Sequence, residues 1–118
     1  MIGLALALLF AGRAASAGDK SPPKQFSGLA AYYDTHYHGR TAAGEQYDPA
    51  KFTAAHRTLP FGTRLKVTDR RTGRSVEVVV NDRGPFTRGR VLDLSLAAAK
   101  QLKMLGRGLT RVTASIEP

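Results

Sequence analysis

The chain has 118 residues, enough for one domain of ordinary size, and sets 18 lysines and arginines against 9 acids for a formal charge of +9. It contains no cysteine, which excludes disulfide stapling and thiolate-based metal or redox chemistry. The excess charge calls for a polyanionic partner or surface. The arginines are scattered, however, and recognition-helix, zinc-finger and aromatic RNA-binding patterns are missing, so no nucleic-acid partner is expected.

Ile2 to Ala11 is almost unbroken apolar sequence, Arg13 interrupts it, and Ala15-Ser16-Ala17 supplies the small-x-small pattern of a signal-peptidase site. The run is too short to cross a bilayer comfortably. Residues 1–17 are therefore expected to be a cleaved export signal, which makes the protein periplasmic or secreted. No basic residue precedes the run, and a mis-set start codon or a disordered tail is the alternative. Residues 18–25, polar and marked by Pro22-Pro23, read as a linker, and 26–118 as the folded domain.

Gly28–Tyr33 reads as a strand closed by two aromatics. Residues 34–45 are too polar and glycine-marked for a regular element, and a loop of that length in a small domain is more often functional than idle. Asp48-Pro49 can start a single helical turn, with Phe52 anchoring it on the core. Thr53–His56 leads into a turn at Leu59–Gly62. Arg64–Thr68 alternates as a strand with one wet face. Arg70–Gly73 is a hairpin turn, and Ser75–Val80 returns as a buried strand, for which Val78-Val79-Val80 is suited. The strand is expected to stop at Asn81-Asp82, where Gly84-Pro85 turns the chain out of the sheet. Val91–Leu94 is a further short strand. Ser95 can cap a helix from Leu96 to about Leu105, with Ala98, Leu102 and Leu105 on one face and Gly106 ending it. Leu109–Ile116 alternates again, with Val112, Ala114 and Ile116 on one side. Short strands, one helix and no βαβ repeat give a mainly β chain, a small barrel.

The polar groups concentrate beside the most apolar strand. Asp82 stands at its end, close in sequence to Arg83, Arg88 and Arg90; the plain alternative to a site is a capped turn with a surface ion pair. His36-x-His38 would need a third ligand, His56 or Asp82, and the spacing does not demand one, so neither metal nor cofactor is expected. No serine lies in a Gly-x-Ser-x-Gly elbow. Carboxylate acid–base chemistry remains, with Asp34, Glu45, Asp82 and Asp93 in suggestive places. Cleaving a glycosidic bond takes a proton donor at the leaving oxygen and stabilisation of an oxocarbenium-like transition state. Glu45, His56 and Asp82 have suitable side chains, and Tyr32, Tyr33, Tyr37 and Phe86 are of a type that stacks on sugars. Each also has an ordinary reading: a loop-surface charge for Glu45, a strand-end histidine bonded to backbone for His56, core or rim positions for the tyrosines.

Several blocks occur together in order: Gly28-Leu-Ala-Ala-Tyr-Tyr, His38-Gly-Arg-Thr-Ala-Ala-Gly-Glu45, Thr53-Ala-Ala-His56, Leu59-Pro-Phe-Gly-Thr, Val80-Asn-Asp-Arg-Gly-Pro-Phe86 and Asp93-Leu-Ser-Leu-Ala-Ala-Ala. In sequence and spacing, from Phe26 to Ile116, the chain resembles the rare lipoprotein A (RlpA-like) family. The resemblance implies a six-stranded double-psi β-barrel with one or two short helices. It also implies endolytic lytic transglycosylase activity on peptidoglycan glycan strands stripped of stem peptides, cutting the MurNAc–GlcNAc bond to leave 1,6-anhydro-MurNAc ends.

On this resemblance Asp82 is the general acid and later the base for the muramyl 6-hydroxyl, with Glu45 and His56 as its electrostatic and hydrogen-bonding partners. Arg40, Arg83, Arg88 and Arg90 would meet the lactyl carboxylate, for which the arginine fork is suited. Tyr33, Phe86 and Asp93 complete the expected substrate contacts. The chain departs from many members in lacking a lipid-anchoring cysteine and a second, glycan-binding domain, so no membrane anchor is expected, and the protein is expected to be a monomer. The barrel is also similar to expansin-type domains, which makes a non-catalytic module that binds or loosens wall polysaccharide the alternative.

Overall fold

The computed structural model describes residues 24–118. The expected export signal and all of the expected linker except Lys24 and Gln25 lie outside the described residues. Among the described residues there are six strands: β1 (Gln25–Tyr32), β2 (Thr53–Ala55), β3 (Arg64–Asp69), β4 (Ser75–Asp82), β5 (Arg90–Leu94) and β6 (Thr110–Ile116). A helix, α1 (Leu96–Gln101), follows β5. The strands close into a barrel in the order β1-β5-β2-β4-β3-β6. The fold is the six-stranded double-psi barrel.

Alternation builds the wall. In β3, Leu65 and Val67 turn inward while Arg64 and Lys66 face water; in β4, Val76, Val78 and Val80 turn inward. They meet Leu92 and Leu94 of β5 and Val112 and Ala114 of β6, with Ala98, Ala99, Leu102 and Met104 closing the core. Burying each large aliphatic side chain contributes about 1.5–3 kcal/mol, and no cross-link supplements that core.

The structure departs from the sequence expectations at several points. β1 begins at Gln25, so the expected linker ends in a strand. β4 runs on through Asn81 to Asp82 because β2 pairs with it that far, and Val79 is 38% exposed because a barrel wall has an outer face. Phe52 is 44% exposed rather than an anchor; the turn it follows is held by Asp48, which accepts from Ala50 N at 2.9 Å. The helix ends at Gln101, since Leu102 caps it and Lys103 takes a left-handed conformation (φ 55°). That early exit puts Met104 in the core and leaves Leu105 37% exposed.

The pairing that matters for function involves two parallel pairs, β1–β5 and β2–β4, and the antiparallel pair β2–β5. Tyr32 aligns with Leu94, Leu94 with Ala54, and Ala55 with both Asp93 and Asp82. The C-terminal ends of four strands therefore meet at one place on the barrel.

Candidate active site

Asp82 is the last residue of β4, at this meeting point. Its Oδ2 accepts a hydrogen bond from the Tyr33 hydroxyl at 2.5 Å. Its Oδ1 accepts from Ala42 N at 2.7 Å and from its neighbour Arg83 N at 2.9 Å. Three donors from three segments fix the plane of one half-buried carboxylate. Tyr33 is itself tightly placed: its ring stacks on Tyr47 with centroids 4.4 Å apart, and Tyr37 packs against both. Burial, and then the hydrogen bond to Asp82, push the Tyr33 phenol far above its ordinary range, so the hydroxyl keeps its proton and remains a donor.

The Ala42 donor comes from the 34–46 loop, which is an ordered structure. Thr41 N donates to Glu45 O at 2.8 Å, Gly44 N to Thr41 O at 2.9 Å, and Arg40 Nη1 to Gly44 O at 2.9 Å. The loop docks on β4 through Ala43 N to Asn81 O at 3.1 Å and Asn81 Nδ2 to Glu45 Oε1 at 2.7 Å. Gly39 lets the Tyr37 hydroxyl lie against the backbone, since a Cβ there would push that ring aside. Glu45 thus reaches the site through Asn81; it makes no hydrogen bond to Asp82 or His56 among the described residues.

His56, just past β2, is joined to Asp82 through the backbone, His56 N donating to Asp82 O at 3.1 Å. Its Nδ1 accepts from Thr58 N and Leu59 N, both at 3.1 Å, which places the neutral ring's proton on Nε2. Burial, followed by the charges of Arg57 and Arg83, lowers its pKa below the ordinary value of 6.5. Arg83 Nη1 donates to His56 O at 3.1 Å and Leu59 O at 2.8 Å, and its guanidinium sits 4.0 Å above the Phe61 ring. Arg83 and His56 together pin the 56–62 turn beside the site.

The other arginines are not gathered into one pocket. Arg90 Nη2 donates to Asp93 Oδ1 at 2.7 Å, both side chains about a quarter exposed. Arg40 is exposed and engaged with Gly44 O. Arg88 is exposed, and its guanidinium makes no hydrogen bond among the described residues. Phe86 is 77% exposed, on the same 83–89 loop. Gly84 opens that loop at φ +117°, a conformation a side chain would strain.

Three participants were not singled out in the sequence: the Ala42 N–H, Asn81 and Tyr47. A backbone donor leaves no sequence signal. Asn81 lies inside the Val80–Phe86 block, where an asparagine at a strand end reads as an ordinary turn residue. Tyr47 is buried to 5% and accepts from Leu96 N at 3.1 Å, and only its position before Asp48-Pro49 hinted at packing.

The family model described as lytic transglycolase matches residues 25–114, nearly the whole described chain. The chain belongs to the RlpA-like lytic transglycolase family. It is 57% identical over 90 residues to a protein from Nostoc sp. named "Probable endolytic peptidoglycan transglycosylase RlpA", a match covering 74% of this chain and 24% of that protein. Among solved structures it is similar to the Streptomyces papain inhibitor, with TM-score 0.66 and 26% identity over 85% of this chain and all of that one. It is also similar to an expansin from Clavibacter michiganensis, with TM-score 0.61 and 24% identity over 80% of this chain and 50% of that one. The match to RlpA relatives spans between 24% and 44% of their length. The Asp82 cluster therefore sits in an RlpA-like barrel, and the Val80–Phe86 block that carries Asp82 lies inside the matched region.

Proposed function

We propose that the protein is an endolytic lytic transglycosylase acting outside the cytoplasm on peptidoglycan glycan strands stripped of their peptides. The single observation that carries this reading is the Asp82 carboxylate, held by three donors where four strand ends meet, in a chain of the lytic transglycolase family. Asp82, protonated on Oδ2, gives that proton to the glycosidic oxygen as the muramyl C1–O bond breaks. The carboxylate then takes the proton of the same sugar's 6-hydroxyl as O6 bonds to C1. The proton count closes and no water is consumed. Because the 6-hydroxyl is already tethered to the reacting carbon, one acid/base suffices where hydrolysis usually needs two carboxylates.

Tyr33 holds Asp82 Oδ2, and Glu45, through Asn81, keeps the 40–46 turn and its Ala42 donor in place while adding negative charge near the cationic transition state. His56 positions the 56–62 turn. Arg83 and Arg90 are part-buried and hydrogen-bonded within the fold, so the lactyl carboxylate falls to the exposed Arg88, with the exposed Arg40 offering the part of its guanidinium not engaged with Gly44 O, and with Phe86 as an exposed sugar platform. Asp93 keeps Arg90 aligned.

Mass spectrometry of products from peptide-stripped glycan tests the reading. Wild type should release 1,6-anhydro-muramyl ends, and Asp82→Asn should cut at least about a hundredfold more slowly, as loss of an acid/base does, while still sedimenting with glycan. Reducing ends would make it a hydrolase. Binding without any products, from wild type and variant alike, would leave the expansin-like module.

A further inference from the structure

A concave surface lies away from Asp82. The turn between β3 and β4, the turn preceding β6 and the outer faces of β1 and β6 enclose a groove of about 590 Å³. Arg70, Arg71, Arg107 and Arg111 line it, with Leu29 and Leu109 between them. β4 separates the turn from Asp82 by eight residues, roughly 25 Å of extended strand. The proposed transglycosylase chemistry uses none of these side chains.

The charge of the groove is uncompensated. Its nearest acid in sequence, Asp69, is fully buried and committed to Arg107 at 2.7 Å. Arg70, Arg71 and Arg111 are exposed, and their guanidiniums make no hydrogen bond or ion pair among the described residues. Arg70 N donates to Arg111 O at 2.9 Å, which locks the two arginine-bearing segments side by side. Three free arginine forks on a fixed backbone match phosphate oxygens, which arginine binds bidentately.

The apolar component chooses among polyanions. Leu109 is 45% exposed and Leu105, on the same turn, 37%. Nucleic-acid bases are held by aromatic stacking, and none of the groove residues is aromatic. Aliphatic side chains projecting among arginines suit the headgroup–acyl boundary of a bilayer instead.

We propose that this groove docks the protein on the surface of a membrane containing anionic phospholipid, its arginines on the phosphates and Leu109 at the acyl boundary. The barrel would then present Asp82 on the side turned away from the bilayer.

The test is sedimentation of the full chain with vesicles of phosphatidylcholine alone and of phosphatidylcholine mixed with phosphatidylglycerol. Phosphatidylcholine alone sets the baseline for any contribution of the apolar 2–11 segment. Binding should increase with phosphatidylglycerol and fall with salt. The combined Arg70→Gln, Arg71→Gln, Arg111→Gln variant should lose affinity for the mixed vesicles on the order of a hundredfold, given the contribution of each basic residue near such a surface. Leu109→Asn, which removes the apolar contact without changing the charge, should weaken vesicle binding while leaving binding to soluble polyphosphate unchanged. Thermal melting of each variant separates a lost surface from a lost fold; if the triple variant melts early, Arg111→Gln alone replaces it, with about a fivefold loss expected. Equal binding to both vesicle types, or mixed-vesicle binding that the arginine variants leave intact, overturns the proposal. So does polyphosphate binding as tight as vesicle binding together with an inert Leu109→Asn, which would make the groove a site for soluble polyanions. None of these readouts depends on glycan cleavage, so the proposal stands or falls apart from the transglycosylase reading.

Discussion

The Tyr33 hydroxyl lies 2.5 Å from Asp82 Oδ2, and burial keeps its proton in place, so it donates whatever the charge on the carboxylate. As Asp82 gives up its proton and gains charge, this bond strengthens, and a bond to a charged group is worth about 1.5–3 kcal/mol. Tyr33→Phe keeps the ring that stacks on Tyr47 and removes only the donor. The expected outcome is a fall in kcat of about tenfold or more with KM little changed. Steady-state kinetics on soluble stripped glycan reads the split; an unchanged kcat would show that the bond has no part in turnover. The pattern Tyr32-Tyr33 marks a strand end readily enough, but which hydroxyl meets which carboxylate across 49 residues depends on the pairing of β1 with β5 and of β5 with β2.

Among the elements, α1 is short and depends on its cap. Ser95 is fully buried, and its Oγ accepts from Ala98 N at 3.3 Å and from Thr53 N at 3.2 Å. One hydroxyl therefore satisfies a helix N-terminus and the first residue of β2. Ser95→Ala leaves two N–H groups without that partner and is expected to destabilise the protein by about 1–2 kcal/mol, measurable as a lower midpoint in urea with an unchanged slope. The cap was legible because serine before an apolar periodic run is a local signal. The helix end was not: periodicity favoured Leu105 as the next core contact, but the barrel accepts Met104, and Lys103 turns left-handed to deliver it. The valine run tells the same story, since alternation places Val79 outside although β-branching alone gave no face.

At the scale of the whole molecule, Asp69 joins three regions. It is 0% exposed and accepts from Arg107 Nη2 at 2.7 Å, Arg71 N at 2.9 Å and Thr110 Oγ1 at 3.2 Å. Burial by itself would raise its pKa; the hydrogen bonds from Arg107, the Arg71 backbone and Thr110 more than offset that and hold it below the ordinary carboxylate value. The unfolded chain therefore binds this proton more readily than the folded one. The stabilisation is present above about pH 4 and is lost as pH falls through the lowered folded value. Asp69→Asn is expected to lower stability at neutral pH by about 3 kcal/mol, the low end for a broken buried pair because Arg107 stays a quarter exposed. It should also flatten the decline of Tm below about pH 4; a variant with the wild-type acid slope would remove Asp69 from that account.

Short alternating strands, turn residues at Arg70–Gly73 and a capped helix are local patterns, so the sequence alone determined the strand inventory, the barrel class and the block containing Asp82. Which groups surround Asp82 was decided only by the tertiary structure. The parallel pairs β1–β5 and β2–β4, joined by the antiparallel pair β2–β5, bring the ends of these four strands together, and there Asn81 meets Glu45, Ala42 N meets Asp82 and the Arg83 fork meets the carbonyls of His56 and Leu59. The physical reason is that side-chain type and spacing are written along the chain, whereas the direction of a hydrogen bond between segments is set by register and by the backbone groups each segment leaves to be satisfied.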